Sequence, residues 1–272
     1  MSFIVAIDGP AGTGKGTITS LISKEMGLVN IDTGATYRCV ALYAIRNNIK
    51  LEETEKIIAS LGNIQIDMEN ENGEQKIFLN GEDVSKEIRS KEVTLIVSQV
   101  SSIKEVRYKM VEIQRNLAKG KNVIMEGRDI TTVVFPNANV KIYMDAEEEE
   151  RAKRRYKELQ EKGIDMSYED VLKNIRARDK NDREKEVGAL KIAEDAIYLD
   201  TTNLSIEEVK YKVKDIIISK KYTHPWTTIS SMKVDENCNL YSSLYKFIIY
   251  LYKNYDKIKF DFWKGVSNEK VF

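Results

Sequence analysis

The chain has 272 residues, 42% apolar and 32% charged, with Lys plus Arg equal to Asp plus Glu at 43 each. That length suits one α/β domain with insertions or one domain plus a small appendage, and the zero net charge argues against a nucleic acid polymer bound through the overall field. Two distant cysteines, Cys39 and Cys238, are no disulfide framework and point to a reducing cytoplasm. The run Phe3 to Ile7 is too short for a signal-peptide core, and no uncharged stretch is long enough to span a bilayer.

Phe3 to Ile7 reads as a buried parallel strand, apolar on both faces. A glycine-rich turn and a helix over about 16–26 follow, then a short strand at 28–31, a helix at 35–46 and a weaker one at 53–61. Residues 64–80 break this rhythm. Ile64, Ile66 and Met68 alternate with polar residues, Asn72-Gly73 offers a turn, and Ile77 to Leu79 return, which predicts a small antiparallel insert. Helices are expected at 91–100 and 103–118, a core strand at 123–125, and another at 140–144. A charged helix over 147–162 ends at Gly163, a second covers 168–180, a strand 196–199 and a closing helix 206–217. The alternation predicts a five-stranded, mostly parallel sheet covered by helices on both faces. After about Lys220 the character changes: residues 222–272 carry about half of the aromatics, both tryptophans, the single histidine and Cys238. This stretch, 221–272, reads as an addition to a domain over 1–220.

Gly9-Pro10-Ala11-Gly12-Thr13-Gly14-Lys15, after a strand and before a helix, is a phosphate-binding loop. The backbone N–H groups of Gly9, Ala11, Gly12, Thr13, Gly14, Lys15, Gly16 and Thr17 and the helix N-terminus favour an anion. Lys15 is set to bridge the β and γ phosphates of ATP and to follow charge as it transfers. Gly16 stands where a Ser or Thr is usual, so Thr17 supplies the candidate hydroxyl for Mg²⁺.

The loop does not say what accepts the phosphoryl group. Asp32 to Arg38 lie at the carboxyl end of the second strand, where open α/β sheets bind ligands. Thr33 is a candidate cap for the next helix, and Arg38 offers a fork for a monophosphate. Gly127-Arg128-Asp129 brings an arginine and a carboxylate to the same sheet edge. Asp32 and Asp129 organise either the arginines or Mg²⁺-bound water. Two bound phosphates need fixed cations, and the cluster Arg151, Arg154, Arg155, Arg176, Arg178 and Arg183 supplies more. Arg151 and Arg155 share a helix face, and a hinged, arginine-bearing hairpin would keep water from the γ-phosphoryl group, with Arg155 on the ATP side.

Taken together, residues 3–217 resemble the bacterial cytidylate kinases. The resemblance is carried by residues 9–17 and by Asp-Thr-Gly-Ala-Thr-Tyr-Arg at 32–38, Asn-Gly-Glu-Asp-Val-Ser at 80–85 and Ser-Gln-Val at 98–100. Gly-Arg-Asp-Ile-Thr-Thr-Val-Val-Phe-Pro at 127–136, Lys-Ile-Tyr-Met-Asp-Ala at 141–146 and Arg-Ala-Arg-Asp-Lys-Asn-Asp-Arg at 176–183 complete it. It implies a P-loop nucleoside monophosphate kinase fold in which 64–80 is the insert of the NMP-binding region and 151–183 the LID. It also implies Mg²⁺-dependent transfer from ATP to CMP and dCMP by a cytoplasmic monomer. By the resemblance Thr33, Tyr37 and Arg38 lie near the CMP phosphate and sugar. Ser98, Arg107 and Asp129 recognise cytosine, Arg128 binds phosphate, Arg178 is the LID-side arginine, and Asp182 holds the ribose hydroxyls. Lysine stands at 185, where the family typically has arginine. Lys15, Arg128, Arg178 and Asp129 are the expected catalytic set. A kinase of UMP or AMP and a P-loop binding module are the rival readings.

Overall fold

The computed structural model describes residues 2–71, 74–161 and 163–221; the predicted aromatic extension, Asn72-Gly73 at the hairpin turn and Cys238 lie outside them. Five strands, β1 (Ile4–Asp8), β2 (Val29–Asp32), β6 (Val123–Gly127), β7 (Val140–Asp145) and β8 (Ile197–Asp200), form one sheet in the order β2-β6-β1-β7-β8. Every pairing in it is parallel, with Asp32 beside Glu126 and Asp8 beside Gly127. Because the strands are parallel, their carboxyl ends share one edge, and the loops that follow open there.

Helices cover both faces. Val5, Ile7, Ile142 and Met144 pack with Ile18 and Ile22 of α1 (Lys15–Met26) and with Val209, Val213 and Ile217 of α8 (Ile206–Lys221). On the other side Ala6, Ile31, Val123 and Met125 meet Val111 and Ala118 of α5 (Lys104–Ala118). Each such side chain taken fully from water contributes about 1.5–3 kcal/mol, so the sheet edge rests on a firm base.

The predicted insert is antiparallel, as β3 (Ile66–Glu71), β4 (Glu74–Leu79) and a short β5 (Glu82–Asp83). Its inward Ile66, Ile77 and Leu79 join a core with α2 (Thr33–Arg46), α3 (Thr54–Ser60) and α4 (Lys91–Val100). The third strand carries it beyond residue 80, to Asp83. Helices α6 (Glu148–Glu161) and α7 (Tyr168–Glu184) close their own small core of Ala152, Leu159, Val171 and Ile175. Helix α7 runs one turn past the expected end at 180, to Glu184. Its last turn is held by contacts to other elements, which local sequence does not reveal. Cys39 is a buried free thiol.

Candidate active site

The phosphate loop leaves β1 and enters α1 as expected. Gly12 and Gly14 take φ of 83° and 87°, left-handed values that turn successive amides inward. Lys15, 4% exposed, curls back to donate to the Pro10 carbonyl at 2.6 Å and to the Thr13 hydroxyl at 3.2 Å. Burial pushes its ammonium pKa down and Arg128 adds to that, while Glu126 and Asp8 act against them. An ammonium satisfied only by its own loop is free to move to a phosphate oxygen when one arrives. Gly16 faces Glu126: a Cβ there would stand 2.7 Å from the end of the Glu126 carboxylate, which would have to shift. Thr17 is exposed next to it.

Three carboxylates organise the sheet edge. Asp8, fully buried at the end of β1, accepts from the Ile130 N–H at 2.9 Å, the Thr131 N–H at 2.7 Å and the Thr131 hydroxyl at 2.6 Å. Burial raises its pKa, and those hydrogen bonds oppose the rise. They fix a π-helical turn, Ile130–Val134, directly after Arg128 and Asp129. Asp32 caps α2 by accepting from the Ala35 N–H, and it faces Arg89 at 3.4 Å. The cap role expected of Thr33 therefore falls to Asp32. Thr33 instead donates to the Glu126 carbonyl at 2.6 Å, tying α2 to β6. Glu126, beside Asp32 in the sheet, has its pKa pushed up by burial first and by Asp32 second.

On the acceptor side most of the expected residues are already paired. Arg107 and Asp129 form a buried ion pair, both side chains 5% exposed or less. Arg107 also donates to the Ser101 carbonyl at 3.1 Å and lies over the Tyr37 ring at 5.3 Å. Arg128 donates to Asp182 at 2.8 Å, and Lys185 meets the other oxygen of that carboxylate at 2.8 Å. Burial alone would raise the Asp182 pKa, but Arg128 and Lys185 overcome it and hold the carboxyl far below the usual range. Ser98 accepts a hydrogen bond from Asn181 at 2.7 Å. Arg38 donates to the Ile88 carbonyl and the Thr94 hydroxyl at 3.1 and 3.0 Å. Arg178 is exposed and has Arg128, Arg38 and Arg155 as like-charged neighbours, with Asp182 opposing them. Arg155 pairs with Glu158 of its own helix at 2.7 Å.

The cations thus come from α2, the end of β6, α6 and α7 to the edge where the phosphate loop opens. The family model of the cytidylate kinases matches residues 5–219. The chain belongs to the cytidylate kinase family. It is 51% identical over 212 residues to a cytidylate kinase of Caldicellulosiruptor saccharolyticus, covering 78% of this chain and 94% of that one. To the cytidylate kinase of Fusobacterium nucleatum it is 50% identical over 208 residues, 76% of this chain and 94% of the relative. That of Lactobacillus johnsonii is 48% identical over 217 residues, with 80% and 94% covered. As a member of this family the chain is a nucleoside monophosphate kinase, with small-molecule substrates and a nucleotide as phosphoryl donor.

Three residues near the site, Asp8, Glu126 and Gly188, took no part in the sequence reading. Arg151, named in the sequence as part of the cation cluster, is 2% exposed and donates to the Ala11 carbonyl of the phosphate loop at 3.1 Å. It also pairs with Asp179 at 2.7 Å. Gly188, with φ of 67°, lies so close to Arg107 and Asp129 that a Cβ would come within 2.1 Å of the guanidinium. A buried Asp, Glu or Arg in a highly charged sequence gives no local signal; only its partners disclose it.

Proposed function

We propose that this protein transfers the γ-phosphoryl group of ATP to CMP and dCMP, giving CDP and dCDP. The observation that carries the proposal is the convergence of Arg38, Arg128, Arg155 and Arg178 on the strand edge that Lys15 shares. A nucleotide switch has no use for a second anion site; a kinase that holds two phosphates against their repulsion needs one. ATP lies on the loop from Gly9 to Thr17, with Lys15 released from Pro10 to the β and γ phosphates and Arg155 reaching across from α6. Arg128, Arg38 and Arg178 hold the CMP phosphate, and Thr33 and Tyr37 line its approach. Ser98, Arg107 and Asp129 read cytosine, and Asp182 orients the sugar. The acceptor phosphate is anionic at neutral pH, so it attacks in line without a general base.

The residues present suit Mg²⁺. Thr17, Asp32 and Glu126 offer hard oxygens beside the start of α1, and no group of three or more His, Cys, Asp or Glu able to grip a metal occurs among the described residues. That pattern fits an ion held by one or two carboxylates, water and substrate phosphates. When bound, Mg²⁺ offsets phosphate charge. Glu126 and Asp32 would hold its water shell and Thr17 would supply a hydroxyl.

We assign this chemistry to residues 1–220, with the insert at 64–80 on the acceptor side, 151–183 as the LID and 221–272 as an appendage. The working form is read as a cytoplasmic monomer; no described helix is long and apolar enough to cross a membrane. A panel of CMP, dCMP, UMP and AMP with Mg²⁺-ATP tests the proposal. CMP and dCMP should give the highest kcat/KM, and a preference for AMP would overturn it.

A further inference from the structure

The first turn of α6 is pressed against the phosphate loop. A Cβ on Gly12 would stand 3.1 Å from the Cβ of Arg151 and 3.3 Å from its carbonyl oxygen. From there the buried Arg151 guanidinium gathers partners from three elements. Its Nε donates to the Ala146 carbonyl after β7 at 2.8 Å, and its Nη1 to the Ala11 carbonyl at 3.1 Å. The same Nη1 lies 2.7 Å from an oxygen of Asp179 in α7. Asp179 is equally buried, and this ion pair is the one polar contact of its carboxylate among the described residues.

A buried ion pair contributes little net stability, because both charges lose their hydration. What this one fixes is geometry. The peptide between Ala11 and Gly12 is planar and trans, so its carbonyl and its N–H point in opposite directions. Holding the Ala11 carbonyl toward α6 therefore turns the Gly12 N–H away from α6. Lys15 holds the preceding carbonyl, that of Pro10, but its ammonium leaves when a phosphate arrives. Arg151, always charged and tied to Asp179, stays. We propose that Arg151 is a positioning residue for the phosphoryl donor: it presets the Gly12 N–H to face the donor phosphates, and Asp179 anchors the guanidinium from α7. The inference rests on the reading of residues 9–17 as the donor loop. It gives the first turn of α6 a task in donor binding without any contact to the nucleotide.

The test is calorimetry on the full chain, giving separate Kd values for Mg²⁺-ATP, for inorganic tripolyphosphate and for CMP. In the double variant Arg151→Met/Asp179→Leu an apolar pair of similar volume replaces the ions, an exchange that buried pairs often tolerate. A single melting transition shows that the fold is kept. The Kd for ATP should then rise about tenfold, the weight of one charge-assisted hydrogen bond. The Kd for tripolyphosphate should rise by the same factor, because the misplaced amide faces phosphate, and that for CMP should not change. Arg151→Lys keeps a charge beside Asp179 but lacks the planar fan of donors. It should show the same pattern more weakly, and it decides the matter if the double variant does not fold. Wild-type affinity for ATP in a folded variant, or an equal loss for ATP and CMP, would mean that the pair only supports the fold, and the inference is wrong. A loss for ATP with none for tripolyphosphate would mean that Arg151 serves the nucleoside, which overturns it equally. If the wild type binds neither ATP nor tripolyphosphate, the donor-loop reading fails and the inference fails with it.

Discussion

The two halves of the site are built by different means. The donor side is backbone: a short loop between β1 and α1, turned by glycines, with Lys15 resting on the Pro10 carbonyl. The acceptor side is side chains from distant elements, in which Arg107 meets Asp129 and Arg128 and Lys185 meet Asp182. A backbone site tolerates most changes outside its few special positions. A network of buried ions tolerates almost none, because removing one partner strands the other in a low dielectric. The donor side should therefore fail in catalysis when altered, and the acceptor side first in stability.

The largest effect expected is on the donor side. Lys15→Ala should lower kcat by at least about a hundredfold, as for a lost transition-state donor, while CMP affinity measured by calorimetry changes little. Near-normal turnover would end the assignment. Across the cleft, Arg107→Ala strands the Asp129 carboxylate and should cost about 3–5 kcal/mol of stability, read by denaturant unfolding. Activity lost in this variant is thus not by itself a sign of base reading, and Ser98 is the cleaner probe.

Asp182→Asn sharpens the contrast through pH. The folded pKa of Asp182 is depressed, so its stabilisation is present above the ordinary carboxylate pKa, about 3.9, and is lost as pH falls through the folded value. Melting temperatures should differ between wild type and Asp182→Asn at pH 7 and draw together only as pH falls below the ordinary carboxylate value, about 3.9, toward the folded one. A constant gap would mean that the ion pairs contribute nothing. The smallest effect concerns Thr33. Thr33→Ala loses the bond to the Glu126 carbonyl, worth about 1 kcal/mol, and should raise the KM for CMP more than that for ATP, whereas Thr33→Ser should behave as wild type.

The same division explains what was legible in the sequence. The phosphate loop, the parallel sheet and the antiparallel insert follow from spacing and alternation within a few residues, and the structure has them. The motif residues of the acceptor side could be named, but their arrangement could not. Either Asp32 or Thr33 makes a good helix cap, and the choice between them is made by a β6 carbonyl 93 residues from Thr33. The π-helical turn at Ile130–Val134 depends on Asp8, 122 residues from Ile130. Helix α7 continues past Lys180 because Asn181, Asp182 and Lys185 bind α4 and the Arg128 side chain. Long-range polar partners leave no local pattern, and they make up much of the acceptor side.

The central claim is that the second anion site takes a nucleotide, so that phosphoryl transfer requires it. Incubation with Mg²⁺ and ATP labelled in the γ-phosphate, with and without CMP, tests this most directly. With CMP the label should appear in the β-phosphate of CDP, with none on the protein; without CMP it should stay in ATP. Equal release of labelled inorganic phosphate under both conditions would contradict the account.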